Sequence, residues 1–520
     1  MTLKKVAVAA GAALLGGLVA CAGVLFWNIR DNHPGYALNL SLQAGPTRPI
    51  SAGFSALSVT PSVPDPWTDR NGNGQFDDED SWQDGNANGR FDGVWLAGFQ
   101  NRRPATGVHD DLWARAMVLA DGRARVAIVA VDSIGLMQDQ VIDIRSRLPD
   151  SLGLDHLIVT STHTHQAPDV MGLWGPSRVQ SGVDDEYLEM LVSRTARAVE
   201  AAVANLRPAV LRFAQADEGP EALVTDSRPP RVLDSSLRLL QATDAVTGET
   251  LGTLVGWANH PETVWSGNLL ISSDFPHYLR ESIEKGLRQD TEVVVPGLGG
   301  IAVYANGAIG GLMTTDPTWK IPDPFSDTVY TEPSFEKARA QGQQLARLAL
   351  SALRRDDVIE VREASIALQA RTLELPVDNP LFMFGAGIGA LPRGFVRFGV
   401  VRSEVSAFTI GPASFLSVPG EIYPEILNGG VTSPTGADFQ IEPVEIPPLR
   451  DQMPGRYRFV LGLANDAIGY IIPKSEWDDE APWLDGSVDE TYGEIVSLGP
   501  DTAPLLHAEL SALLSLLSSD

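Results

Sequence analysis

The sequence predicts a mixed α/β fold, of the α+β kind, in which sheets of mixed strand direction carry helices. Three observations predict it. Short apolar runs of strand length alternate with longer amphipathic runs of helical period. Two pairs of strand-like runs are joined by tight glycine-containing turns, which makes those neighbours antiparallel. Helical stretches separate the remaining strands, so parallel neighbours are allowed as well, and mixed sheets result instead of one parallel sheet. Apolar residues are 44% of the 520 and charged residues 20%, ample for a large core. That length fits one large domain with insertions, or about two to four smaller ones.

Taken in order, a linker over 31–50 leads to a first strand, Ala52-Gly53-Phe54-Ser55-Ala56-Leu57-Ser58-Val59. An acidic insertion over 65–95 follows. Its first loop sets Asp69, Asn71, Asn73 and Asp77 at alternate or near-alternate positions, with Gly74 sixth, which is how a calcium loop opens. Asp80 stands twelfth, where an EF-hand has glutamate. Residues 84–92 repeat the pattern with Asp84, Asn86, Asn88 and Asp92. Neither copy has the flanking-helix spacing of a full EF-hand. The expectation is structural Ca2+, set against a polar surface loop closed by Asx turns. Residues 114–131 read as a hairpin turning at Asp121-Gly122, and 237–257 as another turning near Thr247-Gly248. Helices are expected over 138–147, 184–205, 275–286, 334–354 and 503–517. Residues 442–456, rich in proline and charge, read as an inserted loop bordering the site.

The chemistry gathers where apolar runs end. Residues 155–161 read as a buried strand running into Thr162-His163-Thr164-His165, which holds two of the eight histidines. Positions i and i+2 of a strand face the same way, so both imidazoles can face one cavity, and neutral imidazole suits zinc. A lone His-x-His is also found as a hydrogen-bonded strand end. A second apolar run, 254–259, ends in His260-Pro261, where proline stops the strand. A third, 414–420, delivers Glu421, and the segment 461–469 ends in Tyr470. Asp132, after the strand 126–131, is a candidate to orient the imidazoles, or else an ordinary strand-end aspartate.

In the order of these motifs the chain resembles the neutral/alkaline (non-lysosomal) ceramidase family, zinc amidases that split N-acyl sphingosines. The landmarks are Thr162-His163-Thr164-His165 with Ala167-Pro168, Ala258-Asn259-His260-Pro261, Ile271-Ser272-Ser273-Asp274, Val418-Pro419-Gly420-Glu421 and Gly469-Tyr470-Ile471. The resemblance covers residues 51–520. It implies two mixed β-sheets packed with outer helices in a single catalytic domain; because the last motif lies close to residue 520, the immunoglobulin-like C-terminal domain common in the family is not expected here. It further implies Zn2+ held by His163, His260, Glu421 and Tyr470, with His165 beside a metal-bound water and Arg228 and Tyr492 facing substrate. Arg228 as a solvated loop residue and Tyr492 as a packed ring are the plain alternatives. Zinc with an open position lowers the pKa of bound water to roughly 7, and His165, Arg228 or Tyr492 are candidates to steady the oxyanion or protonate the amine. One departure is clear. Where the family has Gly-Asp-Val-Ser-Pro-Asn, this chain reads Gly310-Gly311-Leu312-Met313-Thr314-Thr315, which removes any serine nucleophile there.

A net charge of −27 excludes a nucleic-acid partner, which needs clustered Lys and Arg, and gives no help towards anionic lipid surfaces. The N-terminal 1–30 read as a targeting segment. Lys4-Lys5 precede an uncharged run, 6–27, long enough at 1.5 Å per residue to cross a bilayer core of about 30 Å. Leu18-Val19-Ala20-Cys21 matches a lipoprotein box at the sole cysteine, but the apolar run continues past it, favouring an uncleaved anchor. Either way the body lies outside the cytoplasmic membrane, and a single cysteine forms no internal disulfide. The functions expected are a membrane-tethered zinc hydrolase of ceramide or a related N-acyl lipid, the same chemistry on another amide or ester, or a non-catalytic lipid- or glycan-binding ectodomain.

Overall fold

The computed structural model of the chain describes residues 22–313, 319–488 and 491–517. Most of the apolar N-terminal run, with Cys21, lies outside the described residues, as do Thr314 and Thr315. Among the described residues no helix is long and apolar enough to cross a membrane.

Two sheets form the body. In chain order the strands are β1 (Asn39–Leu42), β2 (Ser51–Ser58), β3 (Trp113–Ala120), β4 (Arg125–Val131), β5 (His156–Ser161), β6 (Arg207–Ala216), β7 (Leu237–Asp244), β8 (Thr250–Trp257), β9 (Ile301–Asn306), β10 (Ile359–Val361), β11 (Ile366–Pro376), β12 (Val400–Ile410), β13 (Ala413–Ser417), β14 (Glu421–Ile422), β15 (Tyr457–Leu461) and β16 (Tyr470–Ile471). The larger, nine-stranded sheet runs β9-β8-β7-β6-β2-β3-β4-β5, with β10 beside β6. The smaller runs β1-β11-β12-β13-β15. Both expected hairpins are present, as β3/β4 and β7/β8. Three parallel pairs matter most for the site: β4/β5, β8/β9 and β13/β15.

Side-chain alternation builds two cores from one strand. Along β4, Val126, Ile128 and Ala130 join the layer between the sheets, where Phe54, Phe213, Phe408, Phe415 and Phe459 also pack. Ala127, Val129 and Val131 point the other way, into the layer under the helices. A strand buried on both faces reads as a near-continuous apolar run, which is how β4 reads. The longer helices among the described residues are α1 (Gln138–Ser146), α2 (Asp185–Ala204), α3 (Phe275–Lys285), α4 (Phe335–Ala352), α5 (Pro380–Gly387) and α6 (Thr502–Leu517). Helix α2 packs on β2 and β3, α3 on β9 and α4, and α6 on β11 and β12. Their starts follow from local chemistry. Asp184 accepts from the N–H groups of Glu186 and Tyr187, and Ser334 from that of Lys337, filling donors a helix leaves open.

Candidate metal centre

Each candidate ligand follows the carboxyl end of a strand in a parallel pair, so the topology itself brings them together. Val131 of β4 lies beside Ser161 of β5, Trp257 of β8 beside Asn306 of β9, and Ser417 of β13 beside Leu461 of β15. Beyond those ends the chain turns into His163, His260, Glu421 and Tyr470. The last two sit opposite one another in the short parallel pair β14/β16. Asn306 ties the two histidine turns. Its Nδ2 donates to the carbonyls of Thr162 and Asn259 at 3.0 Å each, and its Oδ1 accepts from Asn259 N–H at 3.1 Å.

Backbone carbonyls orient the imidazoles. His163 Nδ1 lies 2.6 Å from Ile134 O and His260 Nδ1 lies 2.8 Å from Leu312 O, so in each ring Nδ1–H donates outward and Nε2 turns inward. His163 reaches this pose with φ of 68°, a left-handed backbone costly for a side chain of its size. Around the centre, His260 Nε2 is 3.0 Å from Glu421 Oε2 and 3.3 Å from the Tyr470 hydroxyl. His163 Nε2 is 3.5 Å from Glu421 Oε2 and 3.2 Å from His165 Nε2. All five side chains are buried.

This donor set fits a metal ion. Where Nδ1 carries the proton, Nε2 of His260 faces a carboxylate oxygen with two lone pairs opposed, an arrangement that needs a proton or a cation between them. The titration directions agree. Burial pushes His163 down to about 4 against the pull of Glu421, and burial with the neighbouring imidazoles pushes His165 well below its ordinary value. His260 moves the other way: burial opposes its charge, but the Glu421 hydrogen bond and the Glu262 charge raise it. Glu421, though buried, is held low by His163 and His260. Among the described residues, His163, His165 and His260 form the group of three ligating side chains whose donor atoms lie within 4.8 Å of one another.

The remaining expected residues sort clearly. His165 lies against Gly98, whose backbone has φ of 97°; a Cβ there would sit 2.4 Å from the imidazole Cγ, so only glycine allows this approach. Its Nδ1 is 3.4 Å from Glu262, a buried carboxylate the sequence motifs did not single out. Tyr492 is 60% exposed as a residue, yet it lines the cavity and its ring centroid is 5.6 Å from that of Tyr470. Burial of its hydroxyl pushes the pKa up to about 12.

Arg228 does not line that cavity. Its guanidinium is held by Glu494 at 2.6 and 2.8 Å and donates to the carbonyls of Glu476 and Tyr492. It therefore braces the Tyr492 segment from behind, because an unpaired buried guanidinium is too costly. Asp132 also departs from expectation. It touches no imidazole; both its oxygens pair with Arg280 at 2.9 Å, and it accepts from Thr162 and Ser273, so it anchors the turn before His163. The 442–456 segment does not border the cavity either. Its Arg450 pairs with Asp234 and its Pro447 carbonyl accepts from His507 on α6.

The cavity at the centre is lined by Met171, Leu173, Trp174, Phe382 and Val496 together with His163, His165, Glu421 and Tyr470. A larger cleft of about 650 Å³ runs along Asp378–Leu381, 436–440 and 479–482, but among the described residues neither histidine nor cation lines it. In the acidic insertion, Asp69 accepts from the N–H groups of Gly72 and Gly74, while Asn71 and Asn73 donate to Asp77. Asp80 accepts from Arg70 and Asp77 N–H. The second loop repeats this, with Asp84 accepting from Asn88 and Gly89 and Asp92 from Asn86 and Asn88. Stacked Phe76 and Phe91, with ring centroids 4.0 Å apart, join the two loops.

Comparison with known proteins agrees with this geometry. Residues 85–312 match the family described as neutral/alkaline non-lysosomal ceramidase, N-terminal. The structure is similar to that of the neutral ceramidase from Pseudomonas aeruginosa, with a TM-score of 0.61 and 16% identity over 90% of this chain and 74% of that one. It is similar also to a ceramidase complexed with C2, with a TM-score of 0.62 and 15% identity over 91% of this chain and 75% of the other. The solved structures carry the fold, and residues 85–312 carry the match to the neutral/alkaline non-lysosomal ceramidase N-terminal family.

Proposed function

We propose that this chain is a zinc-dependent amidohydrolase that cleaves the amide bond of ceramide or a related N-acyl lipid. The observation that carries the reading is the convergence of three imidazole nitrogens, one carboxylate and one phenol, of which His163, His165, Glu421 and Tyr470 line a cavity shared with apolar side chains and His260 sits directly behind Glu421. His163, His260, Glu421 and Tyr470 would hold the metal. Nitrogen and oxygen donors of this kind suit zinc. When bound, zinc supplies Lewis acidity towards a carbonyl and lowers the pKa of water.

The chain's own groups do the rest. Met171, Leu173, Trp174 and Phe382 exclude water from acyl chains and orient the amide towards the donor set. Tyr492 keeps its proton through neutral pH and is placed to donate to a developing oxyanion. His165, neutral at pH 7, takes at Nε2 the proton that the attacking water gives up as its oxygen adds to the carbonyl carbon, and passes it to the amine nitrogen as the C–N bond breaks. Arg228 contributes by bracing Tyr492 rather than by touching substrate. Among the described residues no guanidinium or ammonium lines the cavity, which favours a substrate without an anionic head group. The altered Gly310–Thr315 stretch keeps another N-acyl amide or ester in view as the second reading, since Leu312 here orients His260.

We further propose that the apolar run 6–27 tethers the body outside the cytoplasmic membrane, and that the two acidic loops take Ca2+. The deciding experiment is fatty-acid release from a ceramide panel by the purified chain, with and without a zinc chelator. Chelator-sensitive release is expected, with stoichiometric zinc that disappears in His163→Ala and His260→Ala. Bound zinc without release would drop ceramide and keep the metal site; no zinc in the unmodified chain would sink the hydrolase reading.

A further inference from the structure

Helix α5 and the segment beside it present an apolar surface that is exposed among the described residues. Leu381, Phe384 and Ile388 follow one another at helical spacing and are 55%, 59% and 39% exposed; Phe398, in the loop beyond, is 78% exposed. Soluble surfaces seldom keep large apolar side chains contiguous without a partner. Phe382, the next residue round the same helix, turns inward and lines the catalytic cavity. The Asn379 side chain that caps α5 also donates to the carbonyls of Ile495 and Ser497, tying the helix to the cavity rim that carries Tyr492.

The occupant is indicated by what else meets this helix. Residues 22–28 are helical and lie against α5, with Asn28 Nδ2 donating to Gly387 O at 2.9 Å and Leu25 packed at Gly387. Phe395 N–H donates to Ile29 O. Phe26 and Trp27 are themselves 74% and 64% exposed, and Arg30 lies over the Trp27 ring at 3.8 Å, a pairing suited to a headgroup boundary. Sequence upstream is uncharged back to Val6. Thus the apolar run joins the folded body on the same face as α5 and the cavity rim. With a net charge of −27, attraction to anionic lipid is excluded and the contact is apolar.

We propose that Leu381 and Phe384 of α5, with Ile388 at its C-cap and Phe398, dock into the headgroup boundary of a zwitterionic phospholipid bilayer, setting the cavity mouth on the membrane. Substrate then passes from the lipid layer past Phe382 without crossing water. This rests on the lipid-amidase reading for its purpose but not for its first test. An environment-sensitive dye is attached to the purified full-length chain at the thiol of the C21S/F384C double variant, and at that of C21S/V246C as a control on the distant β7/β8 turn. Added phosphatidylcholine vesicles should shift the emission to shorter wavelength for F384C and leave V246C unchanged. The C21S/I388C variant repeats the measurement should F384C fold poorly. An unshifted label at both positions 384 and 388, the result expected if the patch docks a protein, overturns the proposal, as does an equal shift at the control. In the second test Phe384→Asp should slow hydrolysis of vesicle-embedded ceramide about five-fold or more, while a short-chain soluble ceramide stays within about two-fold. Equal loss on both substrates overturns delivery from the membrane. Absence of hydrolysis altogether, with the dye shift intact, would instead fault the amidase reading.

Discussion

A histidine becomes a metal ligand by virtue of what its other nitrogen does. Here Ile134 O and Leu312 O take the Nδ1–H of His163 and His260, and both carbonyls belong to loops set by parallel strand ends. Two residues outside the donor set hold this arrangement. Asn306→Ala would strip donors from the buried carbonyls of Thr162 and Asn259, each costing about 1–3 kcal/mol when left unpaired. The expected outcome is a urea midpoint shifted by that sum together with weakened metal retention; an unchanged midpoint would mean water replaces the amide. Gly98→Ala acts on His165 alone, since the new methyl would overlap the imidazole ring. The variant should keep its metal and lose about 10²-fold in kcat, the scale of one misplaced acid–base group. Loss of metal in parallel would reassign His165 as a ligand.

At the scale of the element, the turn between β8 and α3 depends on one buried acid. Asp274 caps α3, accepting from Phe275 N–H and Val264 N–H, and does so with φ of 60°. Burial drives its pKa up to about 7 against those hydrogen bonds. In the folded chain it therefore keeps its proton where the unfolded chain, near 3.8, has released it. Folding takes up a proton across this window, so the Asp274 contribution to stability falls as pH rises from about 4 to about 7 and is constant above. Asp274→Asn should remove that fall: the stability difference, variant minus parent, climbs with pH through the window and then levels. A flat difference from pH 4 to 8 in denaturant titrations would show that Asp274 ionises normally. The same element shows what sequence discloses. Helix α3 was legible because Asp274-Phe275-Pro276 announces a start, and α2 and α4 because Asp184 and Ser334 do. Strand β12 was not, because Ser403, Glu404 and Ser406 are buried along it, with Glu404 paired to Arg145, and break the apolar pattern. Helix α5, apolar nearly all round with two glycines, has no helical stripe to find. Ligands at strand ends carry recognisable motifs. The carbonyls, Asn306 and Glu262 that orient them act through register and fold, so no spacing marks them, and Arg228 was placed by analogy without the partner, Glu494, that claims it.

For the molecule as a whole, the centre is a junction between its two sheets. His163 and His260 follow β5 and β8 of the larger sheet, whereas Glu421 and Tyr470 follow β13 and β15 of the smaller. The sheets also meet nearby through Asn465, whose N–H and Oδ1 pair with the backbone of Val159 in β5. An ion held by both sets of ligands resists their separation, so its loss should lower global stability and not merely local order. A ligand bound only by the folded state adds about 4 kcal/mol at a thousand-fold excess over its dissociation constant. Spread over a chain of this length, with unfolding entropy near 2.1 cal/mol/K per residue, that is a Tm shift of about 4 °C. The acidic insertion lies at the surface and joins neither sheet to the other, so calcium there should steady the 65–95 segment with little effect on the main transition. Two chelators separate these contributions. A zinc-selective chelator should lower the principal calorimetric transition by a few degrees, reversibly on adding zinc, and leave His163→Ala unmoved. A calcium-selective chelator should instead raise protease cleavage between residues 65 and 95 while the principal transition holds. A principal transition indifferent to zinc removal would show that the sheets are joined by packing and hydrogen bonds alone, and that the centre serves chemistry without serving the fold.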